Sequence, residues 1–198
     1  MVRILGYHGT TVENGEKILA SRFNISRADT LWLGHGIYFF QDAPIRAQRR
    51  ANLVSHERSS RPFLIRAVIE TGNCLDLLDW HHWSLLKKFY DQYESEIAAE
   101  AENLPDQMGS EFVDRTSESY DTYRSLSWRR YKDNLLINTF VKYMEKVGIT
   151  FDTIRCPFVS GSPIFRESWI FKASSVVVNV LDHSAILHQS AAALHPET

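Results

Sequence analysis

Three short stretches hold residue types able to do chemistry. His8-Gly9-Thr10 closes the apolar run "VRILGYH" and leads into helix-forming residues. A glycine there lets a ligand approach the main chain closely, and free amides at a helix start bond carbonyls or anions. The triplet serves equally as a capping threonine beside a structural histidine. Gly34-His35-Gly36-Ile37-Tyr38-Phe39 places two glycines before an aromatic strand, so Tyr38 is either half-buried core or a ring face for a flat heterocycle. Glu167 opens "ESWIFKA" after a Gly/Pro-rich loop and, taken alone, is an ordinary surface carboxylate.

Cations cluster around these stretches. Arg46, Arg49, Arg50, Arg58 and Arg61 follow Tyr38, opposed by Asp42 and Glu57. They form either a solvated helix face or a set of phosphate contacts. "SWRRYK", with Arg129 and Arg130, sets arginines beside aromatics that can stack on bases. Trp80-His81-His82-Trp83 reads as a helix start packed on the core, with base stacking as the other reading.

Elements must hold these residues in place. "VRILGYH" reads as a strand, and Thr10-x-x-Glu13 as a capping box opening a helix to about Ser21. "GIYFF" is a second strand, with Asp42 capping the helix "APIRAQRRANLV". "PFLIRAVIE" is a third, ended by the turn Gly72-Asn73. Leu86, Phe89, Tyr90, Tyr93 and Ile97 share one helix face; Leu136, Phe140, Tyr143, Met144 and Val147 share another, which Gly148 ends. Between them "NLPDQMGSEFVDRTSESYDTYRS" reads as a surface insertion or long loop. "ITFDTIRC", "ESWIFKA" and "SVVVNVLD" are the late strands. Strands and helices do not alternate regularly, so the class is α+β.

The totals set bounds. At 198 residues with 44% hydrophobic and 23% charged content, one soluble domain is expected over 1–198, with a helical, acidic insertion at about 80–147. No apolar run approaches the roughly 18 residues of a membrane span, and no signal-peptide core opens the chain, so a cytoplasmic location is expected. Cys74 and Cys156 form neither a disulfide framework nor a ligand cluster, and no His pair has metal spacing, so no metal is expected. The net charge of −2 is uneven: residues 1–66 hold ten Lys/Arg against five Asp/Glu, 67–122 three against thirteen, and 123–198 nine against six. Local charge therefore says more about a partner than the total does.

Taken together and in this order, His8, Tyr38 and Glu167 resemble the signature of the ADP-ribosyltransferase superfamily, in its diphtheria-toxin and poly(ADP-ribose)-polymerase-like branch. "YHGTT…GEKILASRF", "LGHGIYFFQDAPIRAQRRA" and "RESWIF" are similar to that branch's three motifs, over roughly residues 4–54 and 163–181. The resemblance implies split, packed antiparallel sheets and NAD⁺ as co-substrate. His8 would bond the adenosine-side ribose, and Gly9 the nicotinamide amide, with Thr10, Gly36 and Arg49 also at the cofactor. Tyr38 would stack on the nicotinamide, and Glu167 would bond the nicotinamide ribose and stabilise the cation that develops there. One departure stands out: where the polymerases carry a second aromatic, this chain has Arg49, so either the stack is incomplete or Tyr7 or Phe40 covers the ring's other face.

What the resemblance implies is transfer of ADP-ribose to a macromolecule, in a toxin or antiphage effector with an antitoxin or chaperone partner. RNA or single-stranded DNA is the expected acceptor, met by Arg46, Arg50, Arg58, Arg61, Arg129 and Arg130; protein is the other. NAD⁺ hydrolysis, an inactive binding module and an RNA 2′-phosphotransferase-like enzyme stand as alternatives. The last also begins with H-G-T, but its R-x-H-x-H motif is replaced here by Gly36-Ile37-Tyr38-Phe39.

Overall fold

The computed structural model describes residues 2–102 and 118–195, with side chains from 129 onward in the second segment. The chain divides into two compact units. One is a sheet with helices, built from residues 2–25, 36–79 and 151–195. The other is helical, built from 26–35, 80–102 and 118–150. The class is α+β.

In the first unit the strands are β1 (Arg3–Thr11), β2 (Ile37–Gln41), β3 (Pro62–Glu70), β4 (Cys74–Asp76), β5 (Thr153–Phe158), β6 (Ser175–Val180) and β7 (Ile186–Ala192). They form one sheet in the order β4-β5-β6-β2-β1-β3-β7. Every neighbouring pair is antiparallel except β4 with β5. The resemblance implies two packed sheets; a single hydrogen-bonded order joins these strands instead. Its joints are unequal. β1 pairs with β3 over nine residues, Arg3↔Glu70 to Thr11↔Pro62, and β2 with β6 over five. β1 and β2 share only Gly6↔Gln41 and Tyr7↔Phe40.

Strand alternation sorts the side chains. Ile4, Ile37, Phe39, Ile65, Ala67, Ile69, Val178 and Val180 form the buried core of one face, with Phe23, Ala185 and the inner residues Ile18 and Leu19 of helix α1 (Val12–Ala20) packed against them. Helix α2 (Pro44–Glu57) lies on the other face, where it buries Ala47, Gln48, Ala51 and Ser55. Gln48 holds His195 to α2 by a reciprocal pair of bonds with its main chain, at 2.7 and 2.6 Å.

Two expected caps are different. β1 continues through Thr10, so Thr11 becomes the N-cap of α1, and its hydroxyl accepts from the Asn14 amide. Asp42 is in the left-handed region, with φ of 50°, and Ala43 precedes α2 without a side-chain cap; Pro44 in the first turn supplies the preset geometry.

The helical unit holds α3 (Trp80–Glu102) and α4 (Glu118–Lys146). The expected apolar faces meet through Phe89 and Phe140, ring centroids 5.2 Å apart, with Tyr143 also on Phe89. Tyr93 departs from helical geometry and bends α3. Gly148, at φ of 87°, lies just past the end of α4 as expected. Segment 26–35 is held by Asn134 donating to the Leu31 carbonyl and by the His35 amide donating to Asn138. Of the stretch read as a loop, 103–117 lies outside the described residues, and Glu118 onward is helical rather than loop. No helix among the described residues is long and apolar enough to cross a membrane.

Candidate functional site: an opening between two strands

β1 directs the main-chain groups of alternate residues to alternate neighbours. Leu5 accepts from Asp42, on the β2 side, and the Val12 amide donates to Arg61, on the β3 side. By that alternation Tyr7 and Gly9 face β2, and Gly6 and His8 face β3. After Tyr7↔Phe40 the next hydrogen-bonded pair of a regular ladder would be Gly9 with Tyr38. The register stops short of it. In its place the His8 imidazole reaches across, and Nδ1–H donates to the Tyr38 carbonyl at 2.8 Å. The sheet therefore opens between Gly9 and Tyr38, with His8 bridging the gap.

That bond defines the chemistry of His8. A carbonyl only accepts, so Nδ1 carries the proton and Nε2 is left as an acceptor in the neutral ring. Burial against the edges of Phe23 and Phe39, centroids at 5.2 and 5.9 Å, holds the imidazole below its ordinary pKa. The Tyr38 carbonyl pushes it back up, and the Arg50 charge lowers it further. In its neutral form His8 thus presents Nε2 as a hydrogen-bond acceptor.

Register separates the two side chains that the motif joins. His8 shares its face with Gly6 and Phe39; Tyr38 shares the opposite face with Tyr7 and Phe40. His8 therefore meets the Tyr38 main chain, and the Tyr38 ring stands half-buried in an aromatic row with Tyr7 and Phe40. Tyr7 and Phe40 are thus on the Tyr38 face, and Arg49 is exposed on α2.

The glycines have packing reasons as well. A Cβ on Gly9 would collide with the Ala47 carbonyl oxygen and crowd the Ala51 nitrogen, so glycine lets α2 lie directly on β1. At Gly36, with φ of 153°, a Cβ would strike the Asn179 side chain. Asn179 is fully buried opposite Tyr38 on β6. Nothing marked it in advance except a polar residue inside "SVVVNV".

The remaining candidates are spread out. Thr10 is buried in β1 rather than standing at the helix start. Arg46 is half-buried, its guanidinium over Phe40 at 5.6 Å and Phe158 at 6.0 Å. Its Nε is buried with no hydrogen-bond partner among the described residues. Arg49, Arg50, Arg58 and Arg61 are exposed. Arg129 and Arg130 are exposed on α4, in the helical unit.

Glu167 is not at the start of a strand. "ESWIFKA" forms the tip and return of a loop between β5 and β6, closed by Ala173 on Ser160, Lys172 on Ser162 and Ile164 on Ile170, at 2.9–3.0 Å. Glu167 sits exposed in the turn at its tip. β6 runs from the Gln41 end of β2 toward Tyr38, so the loop joins the sheet at the far end from the opening. At the near end β6 runs into Asp182, whose carboxylate accepts from the Ser184 amide at 2.9 Å and is held below its ordinary pKa by that bond. Among the described residues no group of three or more His, Cys, Asp or Glu is placed to hold a metal.

No protein-family model, curated protein or solved structure matches the chain.

Proposed function

We propose that the opening between β1 and β2 is an NAD⁺ site and that the protein is an ADP-ribosyltransferase acting on a macromolecular acceptor. The observation that carries this reading is the interrupted ladder. Gly9 turns its N–H and C=O toward the place where a strand residue would pair. A carboxamide offers the same complementary acceptor and donor, so nicotinamide fills the missing rung. The Tyr38 ring covers the heterocycle from one face of the sheet. His8 Nε2 accepts a ribose hydroxyl from the other, and the arginines of α2 lie near enough to supply charge for the pyrophosphate.

Departure of nicotinamide builds positive charge on the ribose, which a carboxylate stabilises as it develops. The resemblance assigns this role to Glu167; position along β6 favours Asp182. The ribose C1′–N bond to nicotinamide breaks, the acceptor's nucleophilic atom bonds C1′, and the same carboxylate takes the proton that atom gives up.

The test is calorimetric titration with NAD⁺, paired with release of nicotinamide from labelled NAD⁺. Tyr38→Ala should weaken binding several-fold, and Tyr38→Phe much less, because stacking uses the ring face, worth about 1 kcal/mol. Equal affinity for Tyr38→Ala and wild type removes NAD⁺ from the opening. Glu167→Gln and Asp182→Asn then assign the carboxylate: the one that abolishes turnover while sparing NAD⁺ binding carries it.

A further inference from the structure

The helical unit holds its own cavity, about 330 Å³, lined by Trp83, Leu86, Lys87 and Tyr90 of α3 and by Lys132, Asp133 and Leu136 of α4. Its volume is at the lower end of small-molecule sites, roughly 300–1,000 Å³. As a helix start, the tryptophans of "WHHW" are expected to pack on the core. They face water instead: Trp80 is 75% exposed and Trp83 44%. Their rings stack on one another, centroids 5.0 Å apart and planes 17° apart. A stacked, solvent-facing indole pair at the rim of a cavity is a flat apolar platform, exposed among the described residues.

The polar groups around the platform have a definite arrangement. Lys132 Nζ donates to the Tyr90 hydroxyl at 2.9 Å and lies over the Tyr90 ring at 5.2 Å. Tyr90 in turn donates to Glu94 at 2.9 Å. Lys87, which lines the cavity, also pairs with Asp91 on α3. Arg129 and Arg130 are exposed on α4 a turn before Lys132 and Asp133. The cavity thus combines an aromatic platform, a carboxylate and two lining cations, Lys87 and Lys132, with Arg129 and Arg130 exposed about a turn earlier on α4.

From this juxtaposition we infer that the cavity takes one unpaired base of a single-stranded nucleic acid, stacked on the Trp80–Trp83 pair, with the flanking phosphates on Lys87, Arg129 and Arg130. Each part fits that occupant. Every base has a π-face, and stacking on aromatics beside a cationic track is how single strands bind without a fixed sequence. The Asp133 carboxylate accepts from a base's exocyclic amine, and Lys132 donates to a ring carbonyl oxygen. Partial removal from water raises the Asp133 carboxyl above its ordinary pKa, which a hydrogen-bonding base edge would reverse. A duplex keeps its bases stacked and its edges paired, so it fits neither the platform nor the cavity. The inference goes beyond the NAD⁺ site and stands without it, since it concerns binding by a different unit.

The experiment is fluorescence anisotropy of end-labelled oligo(dC) of about a dozen nucleotides, against a duplex of equal length, with the full chain and no NAD⁺. The single strand should bind at least tenfold more tightly than the duplex, and affinity should fall steeply with salt. Trp83→Ala should weaken binding about tenfold, the scale of one lost stack, while Trp83→Phe retains most of it and confirms that the fold tolerates the site's change. His8→Ala should leave binding unchanged, which separates this inference from the NAD⁺ reading. Trp83→Ala binding as tightly as wild type would overturn the inference, as would equal affinity for duplex and single strand.

Discussion

The two edges of β1 differ more than any two regions of the sheet. Toward β3 the strand is zipped for its whole length; toward β2 it makes two pairs and stops. One sequence, "RILGYHGTT", serves both edges at once. Stability comes from the zipped edge, where Ile65 and Leu64 are fully buried opposite His8 and Gly9. Chemistry is available only at the other, where main-chain groups are not consumed by a ladder. A strand can be rigid and still offer hydrogen bonds to a ligand, provided one edge is held and the other left open.

The largest expected effect breaks the held edge. Ile65→Ala should cost about 3 kcal/mol in urea unfolding, the usual scale for emptying a core position. A much smaller loss would mean that β1 is not anchored through β3. Gly9→Ala comes next. The added methyl meets the main chain of α2, which cannot rotate away, so a loss of about 2 kcal/mol is expected. An unchanged midpoint would show that α2 stands off β1, and with it the shape of the opening would change.

Hydrogen exchange compares the edges directly. The Gly6 and His8 amides, facing β3, should exchange far more slowly than the Gly9 amide, facing the opening. Added NAD⁺ should slow Gly9 selectively. Equal protection in its absence would mean that the ladder is complete and the opening closed.

The smallest effect is electrostatic. His8 has its pKa lowered in the folded state by burial, so as pH falls through about 6.5 the unfolded chain takes up the proton first. The stability present at neutral pH is therefore lost on acidification. His8→Gln should flatten the fall in melting temperature between about pH 7.5 and 5.5. Part of the slope should remain, because His35 is also shifted downward, chiefly by burial. Loss of the entire slope would assign all of it to His8.

Local signals were legible where one residue type decides the outcome. "PFLIRAVIE" became β3 end to end, Gly148 ended α4, and apolar spacing located the Phe89 and Phe140 faces. Local pattern does not suffice where a neighbour in space decides. Thr10 and Thr11 are equivalent as caps until β3 extends β1 through both. "ESWIFKA" has the alternation of a strand, yet among the described residues it joins no strand of the sheet, Phe171 making only an isolated bridge to Pro163, and Trp169 and Ile170 stay in water at 92% and 68% exposure. Motif order singled out His8 and Tyr38, and the structure does join them, but by imidazole to carbonyl. The two-residue register that makes the opening belongs to tertiary pairing, and no local pattern encodes it.

The strand order has a consequence for the nascent chain. β1, β2 and β3 emerge within the first 70 residues and can assemble with α1 and α2 while synthesis continues. The outer edge of β2, "IYFFQ", must then wait for β6, whose first residue is Ser175. At about 5–20 residues per second that is an interval of roughly 7 to 27 seconds with an apolar strand edge uncovered. During it the chain depends on whatever else can occupy that edge, and slowing translation after Gln41 should lower the soluble yield more than slowing it after Val180.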